Sequence, residues 1–309
     1  MTGLRLSGNV AWARAAPSLS VLIPFLGDDP RPLLAALEAQ APRGAVEILV
    51  LDDGGGDAAL TRRARAAVRA LKTPALFIRS DENLGRARGR NQLAAHARGD
   101  FLLFLDADMA PDGPGFLSTY LALIAAERPA VAFGGFSLDQ APDTAEFALH
   151  RRMALASDCA VADMRRREPE KHVFTSNLLV RRDVFAAHRF DESFKGWGWE
   201  DVEWGMRVAR EHAIRHLDNT ATHLGLDPPE TIAAKYEQSA GNFARVADRH
   251  LSLVERYPSY RAARILRRLP FRPAWRPMLK RLALTDAAPL FARAFAMRLY
   301  RAALYAETV

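Results

Sequence analysis

Two groups of acids carry the chemistry that this sequence can do. Asp106 and Asp108, one residue apart, end the apolar run from Phe101 to Leu105. Hard carboxylate oxygens there suit Mg2+ or Mn2+, which can bridge a protein to phosphates. Asp-Ala-Asp ahead of Pro111 also fits a plain polar turn. The second group lies in Gly196-Trp-Gly-Trp-Glu-Asp201-Val-Glu203-Trp204, which concentrates indoles, glycines and carboxylates. The faces of Trp197 and Trp199 can stack on sugar C–H groups, and Glu200 can accept bonds from hydroxyls. Asp201 falls in a first helical turn, where the dipole and nearby amides hold a carboxylate ionised, as a general base requires. Core packing is the alternative for the tryptophans, which bury most of their area in either case. His223 follows this helix closely enough to complete the coordination of an ion held by Asp108, whereas a lone His216 reads as surface or satisfied core.

The surrounding pattern explains how these acids reach one place. Apolar strands are expected over residues 18–24, 47–52, 75–79 and 101–105, with helices between them near 31–40, 57–71 and 86–98. Regular alternation of this kind predicts an α/β fold with a mostly parallel sheet covered on both sides. Asp57 is placed to cap the second helix, whose Arg62, Arg63, Arg65 and Arg69 read as a solvated face. In open α/β sheets ligands collect beyond the carboxyl ends of the strands, so Asp53, Asp106 and Asp108 belong at the mouth of a site. A helix near 116–127 and strands near 130–136 and 175–181 continue the pattern. Residues 138–172, with the Arg165-Arg166-Arg167 run, break it and read as a helical excursion with a mobile loop over the site.

Composition bounds the rest. The chain has 309 residues, a formal charge of +7 and one cysteine, Cys159. No intrachain disulfide can form, which fits a reducing compartment, and Cys159 reads as a buried, inert thiol. The first sixteen residues lack the sustained apolar segment of a secretory signal, and no apolar run approaches the ~18 residues of a membrane span. A cytoplasmic location is expected, with the option of a peripheral seat on the cytoplasmic face of a membrane. The positive charge points to anionic partners: nucleoside diphosphates, anionic lipid or nucleic acid. No nucleic-acid reading motif is present, so nucleic acid is not expected.

From Arg256 onward the tail interleaves Arg261, Arg264, Arg267, Arg268, Arg272, Arg276, Lys280 and Arg281 with Leu266, Leu269, Phe271, Trp275, Met278 and Leu282. In its last helix Phe291, Phe295 and Leu299 share one face, with Arg293 and Arg301 largely across from it. Such helices suit an anionic membrane surface, and equally suit packing on the preceding domain or a second subunit.

Taken in order, Val21-Leu-Ile-Pro24, Leu51-Asp-Asp53-Gly, Asn83-Leu-Gly85 with Ala87 through Arg90-Asn91, Asp106-Ala-Asp108 and Trp197 through Asp201 resemble the family 2 glycosyltransferases of the GT-A fold. The tryptophan stretch is similar to the Trp-Gly-x-Glu-Asp segment of the galactosyl- and N-acetylgalactosaminyltransferase group. The resemblance covers residues 18–225. It implies a GT-A nucleotide-sugar-binding domain over 18–228, after an N-terminal extension (1–17) and before a basic, amphipathic helical extension (229–309). It further implies that Pro24 and Phe25 line the nucleotide site, that Asp53 meets a uracil ring, and that Arg90 supports the diphosphate or the acidic pair. Asp106 would contact the donor ribose or sugar, with Asp108 and His223 as ligands of Mn2+ or Mg2+. Asp201 would be the acceptor-activating base, Glu200 a sugar ligand, and Trp197 and Trp199 part of the sugar wall. The implied activity is inverting transfer of a hexose or N-acetylhexosamine from a UDP-sugar to a hydroxyl of a glycan or glycoconjugate, by a monomer or homo-oligomer. The sequence departs from the family pattern in lacking a serine after Asp53-Gly and in carrying Gly27-Asp28-Asp29 after the first strand. A sugar nucleotidyltransferase would need a glycine-rich phosphate loop after that strand, and a nicotinamide dehydrogenase a G-x-G-x-x-G; neither is present. A non-catalytic sugar or nucleotide sensor would share the pocket.

Overall fold

A computed structural model describes residues 3–270 and 272–309. The chain begins with β1 (Leu4–Gly8) and then alternates: β2 (Leu19–Phe25), α1 (Arg31–Gln40), β3 (Val46–Asp52), α2 (Ala58–Ala70), β4 (Ala75–Ser80), α3 (Arg86–His96) and β5 (Phe101–Leu105). There follow β6 (Met109–Pro111), α4 (Phe116–Glu127), β7 (Val131–Phe133), β8 (Phe136–Ser137), α5 (Ala148–Leu155), α6 (Ala162–Arg165), β9 (Asn177–Arg181), α7 (Arg182–Ala187), α8 (Glu200–Val208), β10 (Ile214–His216) and β11 (Ala221–His223). The helices α9 (Pro229–Arg249), α10 (Leu251–Val254), α11 (Pro258–Arg268), α12 (Arg272–Leu284) and α13 (Leu290–Tyr305) complete it.

The main sheet has the order β1-β4-β3-β2-β5-β9-β7-β10. Only β1 and β9 run against the others, so the mostly parallel α/β sheet expected from the alternation is the one that forms. Every residue of β3 and β5 is buried, which is why β5 is continuously apolar and why β3 is apolar from Ile48 to Leu51. The buried Glu47 of β3 is held by Ser20 Oγ (2.7 Å) and the Arg98 amide (2.7 Å). Asp57 Oδ1 caps α2 by accepting from the amides of Ala59 (2.8 Å) and Leu60 (3.0 Å). Residues 4–8, read as part of a leading extension, pair along β4 and lengthen the sheet by one strand.

A second sheet, β6-β11-β8, sits beyond the tip of β5. In its antiparallel pair, His223 stands opposite Met109 and Thr222 opposite Ala110. This register places β11 beside the turn that carries Asp108.

The segment 138–172 carries α5 and α6 and is anchored to the sheet through Arg165. Arg165 is fully buried, donates to the carbonyls of Ala160 and Leu217, and reaches His216 Nδ1 at 3.3 Å. His216 is the core histidine that its isolation predicted.

The C-terminal helices close on the segment around α8. Phe194, Val202 and Met206 share one apolar cluster with Tyr236 and Phe243 of α9 and Met297 and Tyr300 of α13. The apolar face predicted for the last helix is turned the other way. Phe291 and Phe295 are 64% and 63% exposed, while Ala294, Met297, Tyr300 and Leu304 pack inward. Alanines between the larger groups let α13 approach its neighbours closely, and that packing outweighs the phenylalanine spacing. Arg301, expected on the polar side, instead lies 5.0 Å from the ring centroid of Tyr236. Phe271 and the Arg272 side chain lie outside the described residues.

Candidate active site

The turn after β5 and the end of β11 build the first half of the site. Asp108 Oδ2 lies 3.1 Å from His223 Nε2, and the amide of Leu224 donates to the Asp108 carbonyl (2.9 Å). Asp108 Oδ1 is buried without a hydrogen-bond partner among the described residues. A buried carboxylate oxygen is rarely left unpaired, and this one is a free donor for a cation. Carboxylate and imidazole together suit Mn2+, while Mg2+ favours the oxygen donor. The residues therefore fit the divalent ion that the sequence implies. Gly225 is required beside them: a Cβ at this position would lie 1.9 Å from Asp108 Oδ2.

The second half arrives through α3 and α8. Arg90, buried on α3, donates from Nη2 to Asp106 Oδ1 (2.5 Å), and its Nη1 stands 3.8 Å from Glu200 Oε1. Arg86, one turn earlier, donates from Nε to the same Glu200 oxygen. Asp106 and the start of α8 thus belong to one charged network. Burial pushes Glu200 up, but the charges of Arg86 and Arg90 outweigh it and hold the carboxyl below its ordinary range. Asp201 goes the other way. Burial first, and then the charge of Glu200, push it up to about 7. Two adjacent carboxyls with opposed shifts are the pattern of a site that keeps one charge fixed and one proton movable.

Asn91 positions the approach to α8. Its Nδ2 donates to the Phe190 carbonyl (2.9 Å), and its Oδ1 accepts from the Phe190 amide (3.1 Å). Downstream, Gly198 and Trp199 both take left-handed backbone, with φ of 86° and 76°. That conformation is costly for a bulky residue and persists only where surroundings hold it. Asn242 Nδ2 does so by donating to the carbonyls of Lys195 and Gly198, both at 2.9 Å. Trp199 Nε1 donates to Tyr305 Oη (2.9 Å), and its ring packs 4.9 Å from Phe243. Trp199 is therefore half-buried and joins the segment to the C-terminal helices, leaving only part of its face for a ligand. Trp197 is also half-buried, 6.1 Å from Tyr236 with the Lys235 ammonium 6.0 Å from its ring. Trp204 is fully buried core.

On the expected nucleotide side, Pro24 is half-buried at the end of β2. The Phe25 ring is in the core, 6.4 Å from Phe77, because its strand position points it away from the cleft; only its backbone faces the Asp53 turn, where its carbonyl accepts from the Asp53 amide (3.0 Å). Asp53 Oδ1 and Oδ2 accept from the amides of Leu84 (2.9 Å) and Gly85 (3.1 Å), so its carboxylate shapes the loop before α3. Burial pushes this carboxyl up to about 6 against those two bonds.

Several residues at the site were not singled out from sequence. Arg86 was detectable, since it precedes Arg90 by one helical turn. Asp28 had a signal in the unusual Gly-Asp-Asp loop; burial and then the charge of Asp108 raise its carboxyl. His150 had none. Its ring is 5.9 Å from that of His223, and its Nδ1 accepts from the Asp227 amide (2.7 Å). Lys235, paired with Asp227 at 2.6 Å, comes from the helical extension and acts electrostatically on Asp108 and His223.

Comparison with known proteins places this geometry. Residues 20–189 match the family model described as Glycosyl transferase family 2. The chain is 27% identical over 128 residues to an uncharacterized glycosyltransferase of Mycobacterium tuberculosis, covering 41% of this chain and 47% of that one. It is 32% identical over 114 residues to an N-acetylglucosaminyltransferase of Sinorhizobium fredii, covering 34% of this chain and 27% of that one. The aligned stretch thus spans about half, or less, of these relatives. Among solved structures, the fold is similar to a mannosyltransferase from Pyrobaculum calidifontis in complex with GDP-Man and Mn2+ (TM-score 0.61, 16% identity, 96% of this chain and 88% of that one). It is also similar to Staphylococcus aureus TarS 1-349 in complex with UDP (TM-score 0.51, 16% identity, 92% and 89%). At these identities the likeness is one of fold, and that fold is GT-A-like.

Proposed function

Because the chain belongs to glycosyl transferase family 2, we propose that it moves a hexose or N-acetylhexosamine from a UDP-sugar to a hydroxyl of a glycan or glycoconjugate, with inversion at the anomeric carbon. One observation carries the reading: Arg90 spans Asp106 and Glu200, so acids suited to a donor and the carboxyl suited to an acceptor occupy one cleft.

In this reading Asp106 orients the donor ribose or sugar, held in place by Arg90. Asp108 and His223 hold Mn2+ or Mg2+. When bound, such an ion supplies Lewis-acid stabilisation to the charge on the leaving diphosphate. Lys235 adds a fixed positive charge on the same side, and Asp53 shapes the nucleotide pocket through the Leu84–Gly85 turn. Glu200 stays ionised between Arg86 and Arg90 and accepts a bond from a sugar hydroxyl. Asp201 takes the proton of the acceptor hydroxyl as that oxygen attacks the anomeric carbon, and the nucleoside diphosphate departs from the opposite face. The exposed parts of Trp197 and Trp199 stack on the acceptor or donor sugar.

A panel of nucleotide sugars assayed for hydrolysis and transfer with manganese tests the reading. Turnover of a UDP-sugar is the expected result. GDP-mannose, bound by the mannosyltransferase neighbour, is the decisive competitor for the choice of base. Binding without turnover of any donor would overturn the transferase in favour of a sensor.

A further inference from the structure

The large apolar side chains of the C-terminal helices divide between two faces. Those packed inward close the site, as described above. Those facing outward are many: Ile265 on α11, Met278 and Leu282 on α12, and Phe291 and Phe295 on α13 are all at least 40% exposed. Trp275, Met278 and Leu282 recur at i, i+3, i+7 and form one stripe of α12; Phe291, Phe295 and Arg298 recur at i, i+4, i+7 and form one stripe of α13. The two helices lie side by side, with Arg293 Nε donating to the Ala283 carbonyl at 3.2 Å.

Charge selects what covers this surface. Between Pro258 and Tyr305 there are eleven arginines and lysines and one acid, Asp286, which pairs with Arg293; Arg276 and Lys280 pair with Glu307 and Glu237 from outside this span. Arg264, Arg268, Arg281 and Arg298 make no ion pair with an acid among the described residues. A second copy docked on the same face would set these unpaired charges against their equivalents. An anionic bilayer surface instead accepts both parts: apolar groups enter the headgroup boundary while guanidiniums meet lipid phosphates. No helix among the described residues is long and apolar enough to cross a membrane, so the fitting orientation is in the plane of the interface.

We infer that the outward face of α11, α12 and α13 seats this protein on an anionic membrane. The seat is joined to the site through α13, whose inward side carries Tyr305, the acceptor of the Trp199 Nε1 bond.

Flotation of the full chain with phosphatidylcholine vesicles, with and without phosphatidylglycerol, tests the inference. The protein should float with the anionic vesicles and not with the neutral ones. The Phe291→Ser/Phe295→Ser pair, both exposed, should bind about tenfold or more weakly at an unchanged melting temperature. Arg264→Gln/Arg268→Gln/Arg281→Gln should weaken binding in the same direction. Absence of flotation, or equal flotation of the phenylalanine pair, overturns the docking. So does a dimer that the pair dissolves, or capture by RNA, without vesicle binding. Equal flotation on neutral vesicles overturns the headgroup assignment. Donor hydrolysis measured in parallel on the same variants keeps this result separate from that of the transferase test.

Discussion

The Arg90 guanidinium holds Asp106 at 2.5 Å through one nitrogen and stands 3.8 Å from Glu200 through another, joining the end of β5 to the start of α8. Arg90 is itself buried, so the join operates with little solvent screening. Its loss should therefore be felt on both sides of the cleft at once.

Arg90→Gln tests that relation. The substitution leaves Glu200 buried with Arg86 alone and should cost roughly 3–5 kcal/mol of stability. It also removes a charge that lowers Asp201, so the acid limb of the pH–rate profile should move to higher pH. Destabilisation with an unmoved limb would show that Arg90 only supports the fold.

Asp201→Asn should keep donor binding and lose roughly 10²-fold or more in turnover, the scale of a missing general base. The same variant should be more stable. Asp201 titrates near 7 in the folded chain against 3.8 as its ordinary value, so the native state keeps a proton that the unfolded state releases. Its carboxyl therefore costs stability as pH rises from about 4, with the full cost above about 7. Thermal melts should place the variant above wild type at pH 8, by up to about 4 kcal/mol, with the margin shrinking toward pH 4. Unchanged turnover would remove Asp201 from its role.

In the wild type, kcat/KM should climb about tenfold per pH unit below about pH 7 and then level, because only ionised Asp201 accepts a proton. Initial rates at low donor and acceptor concentration measure this. A profile flat from pH 5 to pH 8 would exclude Asp201 as the group that titrates.

Asp108→Ala should weaken manganese-dependent donor binding, with a stability cost of roughly 1–3 kcal/mol from the lost Oδ2 contact to His223, since Asp108 Oδ1 has no other partner among the described residues. Gly225→Ala should have the same effect through displacement, as its methyl group would occupy the space of Asp108 Oδ2. Calorimetric titration of UDP with and without manganese distinguishes the two states. Full activity of wild type in chelator would refute the metal assignment.

Trp199→Phe removes the indole donor to Tyr305 and should cost about 0.5–1.5 kcal/mol, with a larger loss in kcat because the turn before Glu200 loosens. Tyr305→Phe, which also removes the 3.1 Å contact with Ser239 Oγ, should lose at least as much stability if the bond, and not the indole area, is responsible.

Local signals carried much of this molecule. Continuous apolar runs ending in Asp53 and Asp106 announce buried parallel strands with acids at their tips, since strand burial is a property of neighbouring residues. The Gly-Trp-Gly-Trp-Glu-Asp stretch likewise predicts a turn followed by a helix whose first turn is acidic. What the spacing along the chain could not disclose was contact between distant segments. The pairing of β11 with β6 sets His223 against Asp108, and reciprocal bonds from Asn91 bring α8 to Arg90; both depend on register and packing, which follow from the whole fold. The same limit explains α13. Helical periodicity picks out the face of Phe291, Phe295 and Leu299 but does not say which face meets a neighbour, and packing through Ala294, Met297 and Tyr300 leaves Phe291 and Phe295 outside.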